Sequence, residues 1–267
     1  MGGTRKIKRC VDHLSVLGKS EDMSVVLLIG ATSAIGASLV RALATQGNEL
    51  YLVGRNAERL AGVVEDAKLR GSKVIASMPV DLADLKNCEE LKQWISAISE
   101  VEHAIILPGV LSDELGTLAQ WSQDVMVNFT VPSFLARTIS EKMSSQSEGG
   151  HLVLIGSVAG DRGRQSNGFY GSQKGALEIY AEALRHRTAL KNCKVKVSFV
   201  KPGFVVSPMT AELKKNVLFS EPDQIAKKIV SLFSRGRSGV VYAPGWWRLI
   251  MLLIKLTPNF IFHRTRL

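Results

Sequence analysis

Along most of the chain, solid apolar runs alternate with segments whose apolar positions recur at helical spacing. Val25-Val26-Leu27-Leu28-Ile29 is apolar throughout, as expected of a parallel strand covered on both faces. It leads into Gly30-Ala31-Thr32-Ser33-Ala34-Ile35-Gly36, and Ala37 to Ala44 then repeats as a helix ended by Gly47. The segment Glu49 to Asn56 predicts a second strand and Ala57 to Leu69 its helix. Lys73 to Val80 predicts a third strand, with a helix from Leu85 to Ser99. His103 to Leu107 predicts a fourth, followed by a helix from Leu118 that contains Asn128. Gly150 to Ile155, Lys194 to Val200 and Gly239 to Tyr242 complete the set, with a helix carrying Tyr170 and Lys174 after the first of these. Strand after helix along one chain predicts a single α/β domain, a doubly wound parallel sheet with helices on both faces.

The two ends depart from this alternation. Residues 1–22 carry Arg5-Lys6-Ile7-Lys8-Arg9 with no apolar run long enough for a signal peptide. They read as a disordered leader before a domain spanning 23–245, or as a basic arm toward a membrane or partner. Residues 246–267 form an apolar-basic tail. Its stretch Trp246 to Leu256 is too short, and too broken by Arg248, Lys255 and Pro258, to span a bilayer. Arg248, Lys255 and Asn259 fall on one side of a helix and most of the remainder is apolar. That pattern suits a helix in a membrane interface, a contact with a second subunit, or a cover for the domain's own core.

Composition narrows the function classes. With 267 residues, 46% apolar and 22% charged, the chain can bury one large core. A net charge of +10 favours anionic partners, whether a cofactor or a membrane surface. Zinc-finger spacing, an aromatic-rich RNA motif and a long basic tract are all missing, so nucleic acid is not an expected partner. Cys10, Cys88 and Cys193 are scattered and odd in number. They predict free thiols in a reducing, cytoplasmic setting, with neither a disulfide framework nor a metal site.

Candidate chemistry falls after strand ends. Strand, glycine turn and helix together aim backbone N–H groups at a diphosphate. Gly30 permits the tight turn, Gly36 the close approach, and Thr32 and Ser33 can add hydroxyl donors. Gly54-Arg55 stands where an acidic residue would hold a ribose diol, and an arginine there suits a 2′-phosphate, hence NADP(H). Tyr170 and Lys174, four apart, share one helix face, since four residues advance about 400°. A phenol near pKa 10 is a poor acid or base at neutral pH, and a nearby ammonium should lower that value.

With these motifs in place, residues 24–245 resemble the classical short-chain dehydrogenase/reductase family, whose fold is Rossmann-like. The resemblance implies an active site of Asn128, Ser157, Tyr170 and Lys174. Tyr170 would be the general acid/base and Ser157 would hydrogen-bond the substrate oxygen. Lys174 would hold the nicotinamide ribose, and Asn128 would help anchor a water in a proton relay. It further implies cofactor contacts from Gly30, Thr32, Ser33, Ala34, Ile35 and Gly36, from the adenine pair Asp81 and Leu82, from Pro108 and Gly109, and from Pro202, Gly203 and Val205. Departures are Ile29 for the usual threonine, Ala34 for the middle glycine, and Leu107-Pro108-Gly109 for the usual Asn-Ala-Gly, which loses a knitting amide. Ala34 is compatible with the turn if its φ is negative.

The glycine turn with the apolar-basic tail also resembles reductases of polyprenyl-phosphate-linked keto-sugars, the decaprenylphosphoryl 2-keto-pentose type. That resemblance implies a lipid-linked ketone at the cytoplasmic membrane face. A 3-oxoacyl or other hydrophobic ketone fits the same residues. The related epimerase branch normally needs a larger C-terminal domain than this chain has room for. A non-catalytic NADPH-binding sensor or scaffold would fit Ala34 and Leu107 but not the four retained side chains. Family resemblance implies a homodimer or homotetramer. Residues Pro208 to Phe219 carry no readable code.

Overall fold

Parallel strands whose side chains point alternately to two buried layers account for the solid apolar runs. The computed structural model describes residues 23–265, so the expected leader 1–22 lies outside the described residues. Strand β1 (Val25–Ile29) sends Leu27 and Ile29 into one core layer, and Val26 and Leu28 into the other. The sheet is completed by β2 (Glu49–Gly54), β3 (Lys73–Pro79), β4 (His103–Ile106), β5 (Gly150–Ile155), β6 (Val195–Pro202) and β9 (Gly239–Ala243). The short pair β7 (Phe204–Val205) and β8 (Phe219–Ser220) stands apart. The seven strands of the main sheet are parallel, in the order β3-β2-β1-β4-β5-β6-β9. The chain starts in the middle, runs out to β3, and returns to β4 on the other side of β1. The crevice at the carboxyl ends of β1 and β4 is the ligand position that this reversal creates.

Helices α1 (Ala34–Ala44) and α2 (Ala57–Leu69) cover one face. Helix α3 (Leu85–Ala97) covers the other. The expected helix from Leu118 is not uniform. It comprises α4 (Leu118–Val125), one π turn (Met126–Thr130) and α5 (Val131–Ser144). Asn128 lies in the π turn, fully buried. Helix α6 (Gly168–Leu190) carries Tyr170 and Lys174 on its first two turns. Helix α7 (Pro222–Arg235) was not among the elements expected. Its apolar stripe, Ile225, Ala226, Ile229 and Leu232, packs beside α1. Pro222 opens it and Gly236, at φ 54°, caps it. A polar pair interrupts the core between β5 and β6: His151 Nε2 lies 2.8 Å from Ser198 Oγ, and Ser198 donates to the Arg237 carbonyl at 2.7 Å.

The tail differs from a single helix with one polar side. It forms α8 (Trp247–Leu256), breaks at Thr257-Pro258, and resumes as the single turn α9 (Asn259–Phe262). Trp247 and Met251 are buried with Val158, against Phe204, Leu218 and Tyr242. Burial of each is worth about 1.5–3 kcal/mol, so the inner face covers the domain's own core. Arg248 and Lys255, seven apart on α8, keep one side of that helix, Lys255 reaching Asp161, while Asn259 lies beyond the break and accepts from Arg162. Leu249, Leu252, Leu253, Leu256 and Phe260 are left exposed. Among the described residues no helix is long and apolar enough to cross a membrane.

Candidate active site

The glycine turn closes on itself before it meets any ligand. Gly30 has φ 99°, a left-handed value that favours glycine. A Cβ at Gly36 would lie 2.2 Å from the Gly30 carbonyl oxygen, so that position admits no side chain. Ser33 caps α1, accepting from Gly36 N–H at 3.0 Å and donating its own proton to the Gly30 carbonyl at 2.9 Å. Its hydroxyl therefore serves the turn and is not the outward donor expected from the sequence. Thr32, Ala34 and Ile35 line the cleft beside it. Ala34 is the first helical residue and does not have positive φ, so the alanine is tolerated as the sequence suggested. Gly36 sits behind the turn, off the cleft wall.

The cleft measures about 420 Å³ and runs from β2 to the loop after β6. At one end stand Arg55, Asp81 and Leu82, joined by Arg59, which sequence reasoning missed. Arg59 is one helical turn beyond Arg55, a spacing legible in Arg55-Asn56-Ala57-Glu58-Arg59. Pro108, Gly109, Pro202, Gly203 and Val205 line the other end. Pro208, Met209 and Thr210 add a wall from the stretch that carried no code, with Ser207 just before it.

Ser157, Tyr170 and Lys174 meet on this wall. Ser157 follows β5 and caps a short turn, Val158–Asp161, by accepting from Ala159 N–H at 3.1 Å. It also hydrogen-bonds Tyr170, which favours the phenolate, but burial of the phenol is the larger effect and pushes its pKa up to about 12. Burial pushes the Lys174 ammonium down to about 8. The expectation that Lys174 lowers the Tyr170 pKa is therefore corrected for the protein alone. Its Nζ lies 5.7 Å from the ring centroid and 3.5 Å from the Pro108 carbonyl. Desolvation is the largest influence on both groups.

Asn128 is behind the wall, and its side chain is fully used. Nδ2 donates to the Val110 carbonyl at 2.9 Å and to Gln173 Oε1 at 2.6 Å, while Oδ1 accepts from Val110 N–H at 3.0 Å. Gln173 in turn donates to Ser112 Oγ at 3.2 Å. The loop after β4 is thus knitted from the helix side, although Leu107 replaces the usual asparagine. The π turn aims Asn128 at that loop, and such turns recur at functional sites.

Comparison with known proteins agrees with this geometry. The family model for short chain dehydrogenases matches residues 24–218. An uncharacterized oxidoreductase of Streptomyces coelicolor is 29% identical over 243 residues, covering 90% of this chain and 94% of that one. The bulky-bulky ketone specific alcohol dehydrogenase of Comamonas testosteroni superposes with a TM-score of 0.75 at 21% identity, over 89% of this chain and 96% of that one. A short-chain dehydrogenase of Sphingobium yanoikuyae in complex with NADPH gives 0.73 at 21%, over 88% and 97%. With its parallel sheet, glycine turn and Ser157-Tyr170-Lys174 cluster, the chain belongs to the short chain dehydrogenase family of NAD(P)-dependent oxidoreductases.

Proposed function

We propose that the protein is an NADPH-dependent reductase that interconverts a ketone and a secondary alcohol. The observation that carries the reading is one cleft with Arg55 and Arg59 at one end and Ser157, Tyr170 and Lys174 at the other. Two guanidiniums, with Arg55 rather than a carboxylate directly after β2, suit a 2′-phosphate, and each charge-assisted hydrogen bond is worth about 1.5–3 kcal/mol. The Sphingobium structure with NADPH supports the same choice.

The nicotinamide, when bound, supplies the hydride. The chain supplies position and a proton. Tyr170, with its pKa held near 12, is protonated at neutral pH and gives its proton to the carbonyl oxygen that Ser157 holds. Lys174, near 8, can carry charge at neutral pH and holds the ribose. With both Nδ2 hydrogens spent, Asn128 acts chiefly by fixing Val110, and its main-chain carbonyl is the group through which it would hold a water.

The finer reading concerns the substrate. The buried face of α8 packs on Phe204, next to the cleft residue Val205, and the opposite face of α8 is exposed and apolar. Peripheral contact with an anionic cytoplasmic leaflet, and a lipid-linked keto-sugar or another hydrophobic ketone as substrate, accord with that position and with the charge of +10. A homodimer or homotetramer belongs to the same reading.

Fluorescence titration with NADPH and NADH, wild type against Arg55→Asp, tests the reading. Tight NADPH binding that weakens at least tenfold in the variant is expected, with NADPH-coupled ketone reduction lost in Tyr170→Phe. No binding of either nucleotide would sink the reductase reading in favour of a scaffold.

A further inference from the structure

The turn that carries Ser157 is gripped on both sides. On one side it presses on α6. A Cβ at Gly160 would lie 2.7 Å from Gly175 N and 2.9 Å from the Lys174 carbonyl carbon, and one at Gly171 would lie 2.7 Å from the Ala159 carbonyl oxygen. Backbone thus touches backbone directly behind Tyr170 and Lys174. On the other side Val158 packs against Trp247 and Met251 of α8.

The two residues that end the turn hold the tail by charge. Asp161, with no exposed side-chain surface, pairs with the buried Lys201, and Lys201 also reaches Glu178 Oε2 at 2.6 Å. Tyr242 donates to Asp161 Oδ2 at 2.9 Å, and Lys255 Nζ of α8 lies 3.6 Å from Oδ1. Arg162 goes further. Its Nη1 donates to the carbonyls of Ile254 and, at 2.6 Å, Thr257; its Nη2 donates to Asn259 Oδ1 at 2.9 Å. Its guanidinium lies over the Phe262 ring, 3.8 Å from the centroid. Those two carbonyls are at the C-terminal end of α8, where helix carbonyls lack partners within the helix and the dipole end is negative. A side chain from the serine turn therefore caps α8, docks α9 and stacks on its aromatic ring at once.

We propose that Arg162, seconded by Asp161, is a positioning residue for the reaction: it fastens α8 and α9 over the turn and so fixes Ser157 against Tyr170. This inference rests on the reductase reading for its kinetic consequence, but not for its structural one. A loosened turn leaves the nucleotide end of the cleft intact, since Arg55, Arg59 and the glycine turn are on β1, β2 and their helices. The loss should thus fall on turnover and not on cofactor affinity.

The test compares wild type, Arg162→Ala, Arg162→Lys and the exposed-surface control Leu69→Ser as full-length proteins. NADPH Kd is read by fluorescence, and kcat and KM with 1-decalone as probe ketone. Backbone amide exchange of residues 157–161 is followed by mass spectrometry. Arg162→Ala is expected to lower kcat by about tenfold to 100-fold, the effect of a displacement approaching 1 Å, with NADPH Kd within about twofold. Exchange in the serine turn should quicken. Arg162→Lys should recover part of kcat, and Leu69→Ser should match wild type. Unchanged kcat with a lowered melting temperature would overturn the proposal and leave Arg162 as a tail stabiliser. Unchanged turn exchange would overturn it even if the probe is not reduced. Failure of the wild type to bind NADPH would instead count against the reductase reading, with the exchange experiment still deciding the clamp.

Discussion

Acidification from pH 7 to pH 5 is expected to weaken the fold through one imidazole. His151 is only 3% exposed and Ser198 is fully buried. Ser198 spends its proton on the Arg237 carbonyl, so it accepts from His151 Nε2–H, and Nδ1 is left buried without a partner. That is a site for neutral imidazole. Burial, with like charge from His103 and Lys196, pushes its pKa from 6.5 to about 4. The unfolded chain therefore takes up a proton near pH 6.5 and the folded chain only near 4. Between those values the unfolded state holds more protons, so stability rises with pH and is lost as pH falls. At about 1.4 kcal/mol per tenfold change in proton affinity, the full loss is about 3 kcal/mol, of which about 2 falls between pH 7 and 5. His103, also lowered by burial, adds in the same direction. Urea unfolding at several pH values gives the slope directly, for wild type and for His151→Gln, which keeps a donor but does not titrate. The variant should be less stable at pH 7 and should show a visibly shallower slope between pH 5 and 6.5. Equal slopes in the two proteins would refute the reasoning, whatever their absolute stabilities.

Two other perturbations separate the remaining parts of the argument. Gly36→Ala puts a Cβ 2.2 Å from the Gly30 carbonyl, so the turn must open. NADPH affinity should fall at least 100-fold by titration while the far-ultraviolet dichroism of the sheet and helices persists. A double variant, Leu253→Ser with Phe260→Ser, removes exposed apolar side chains from the tail. Co-sedimentation with vesicles containing anionic phospholipid should drop several-fold without loss of NADPH binding, and unaltered sedimentation would remove the tail from the membrane reading.

Most of the sheet was legible because its cause is local. Val25 to Ile29 must be buried on both faces to be apolar at every position, and only a central parallel strand does that. Tyr170 and Lys174 were legible from their spacing on one helix face, and Ser157 from the family resemblance; the structure brings the three to one cleft. Other features were hidden for physical reasons. Met126 to Thr130 has the composition of ordinary helix, and nothing in it announces a π turn. Helix α7 carried a readable stripe in Ile225, Ala226, Ile229 and Leu232, but no chemistry drew notice to it. The balance between burial and the Ser157 hydrogen bond at Tyr170 depends on neighbours that spacing alone does not locate. Arg162 drew no notice because its partners are elsewhere in the chain.

That separation has a consequence for synthesis. Arg162 bonds to residues 92, 95 and 97 positions later. At about 5–20 residues per second, a translating ribosome needs roughly 5 to 20 s to deliver them. The residues of strands β1 to β5, with the glycine turn, Arg55 and Arg59, are synthesised before then. A nascent chain thus carries its glycine turn and both arginines while its serine turn still has no far wall, and the final helices are the last wall to arrive.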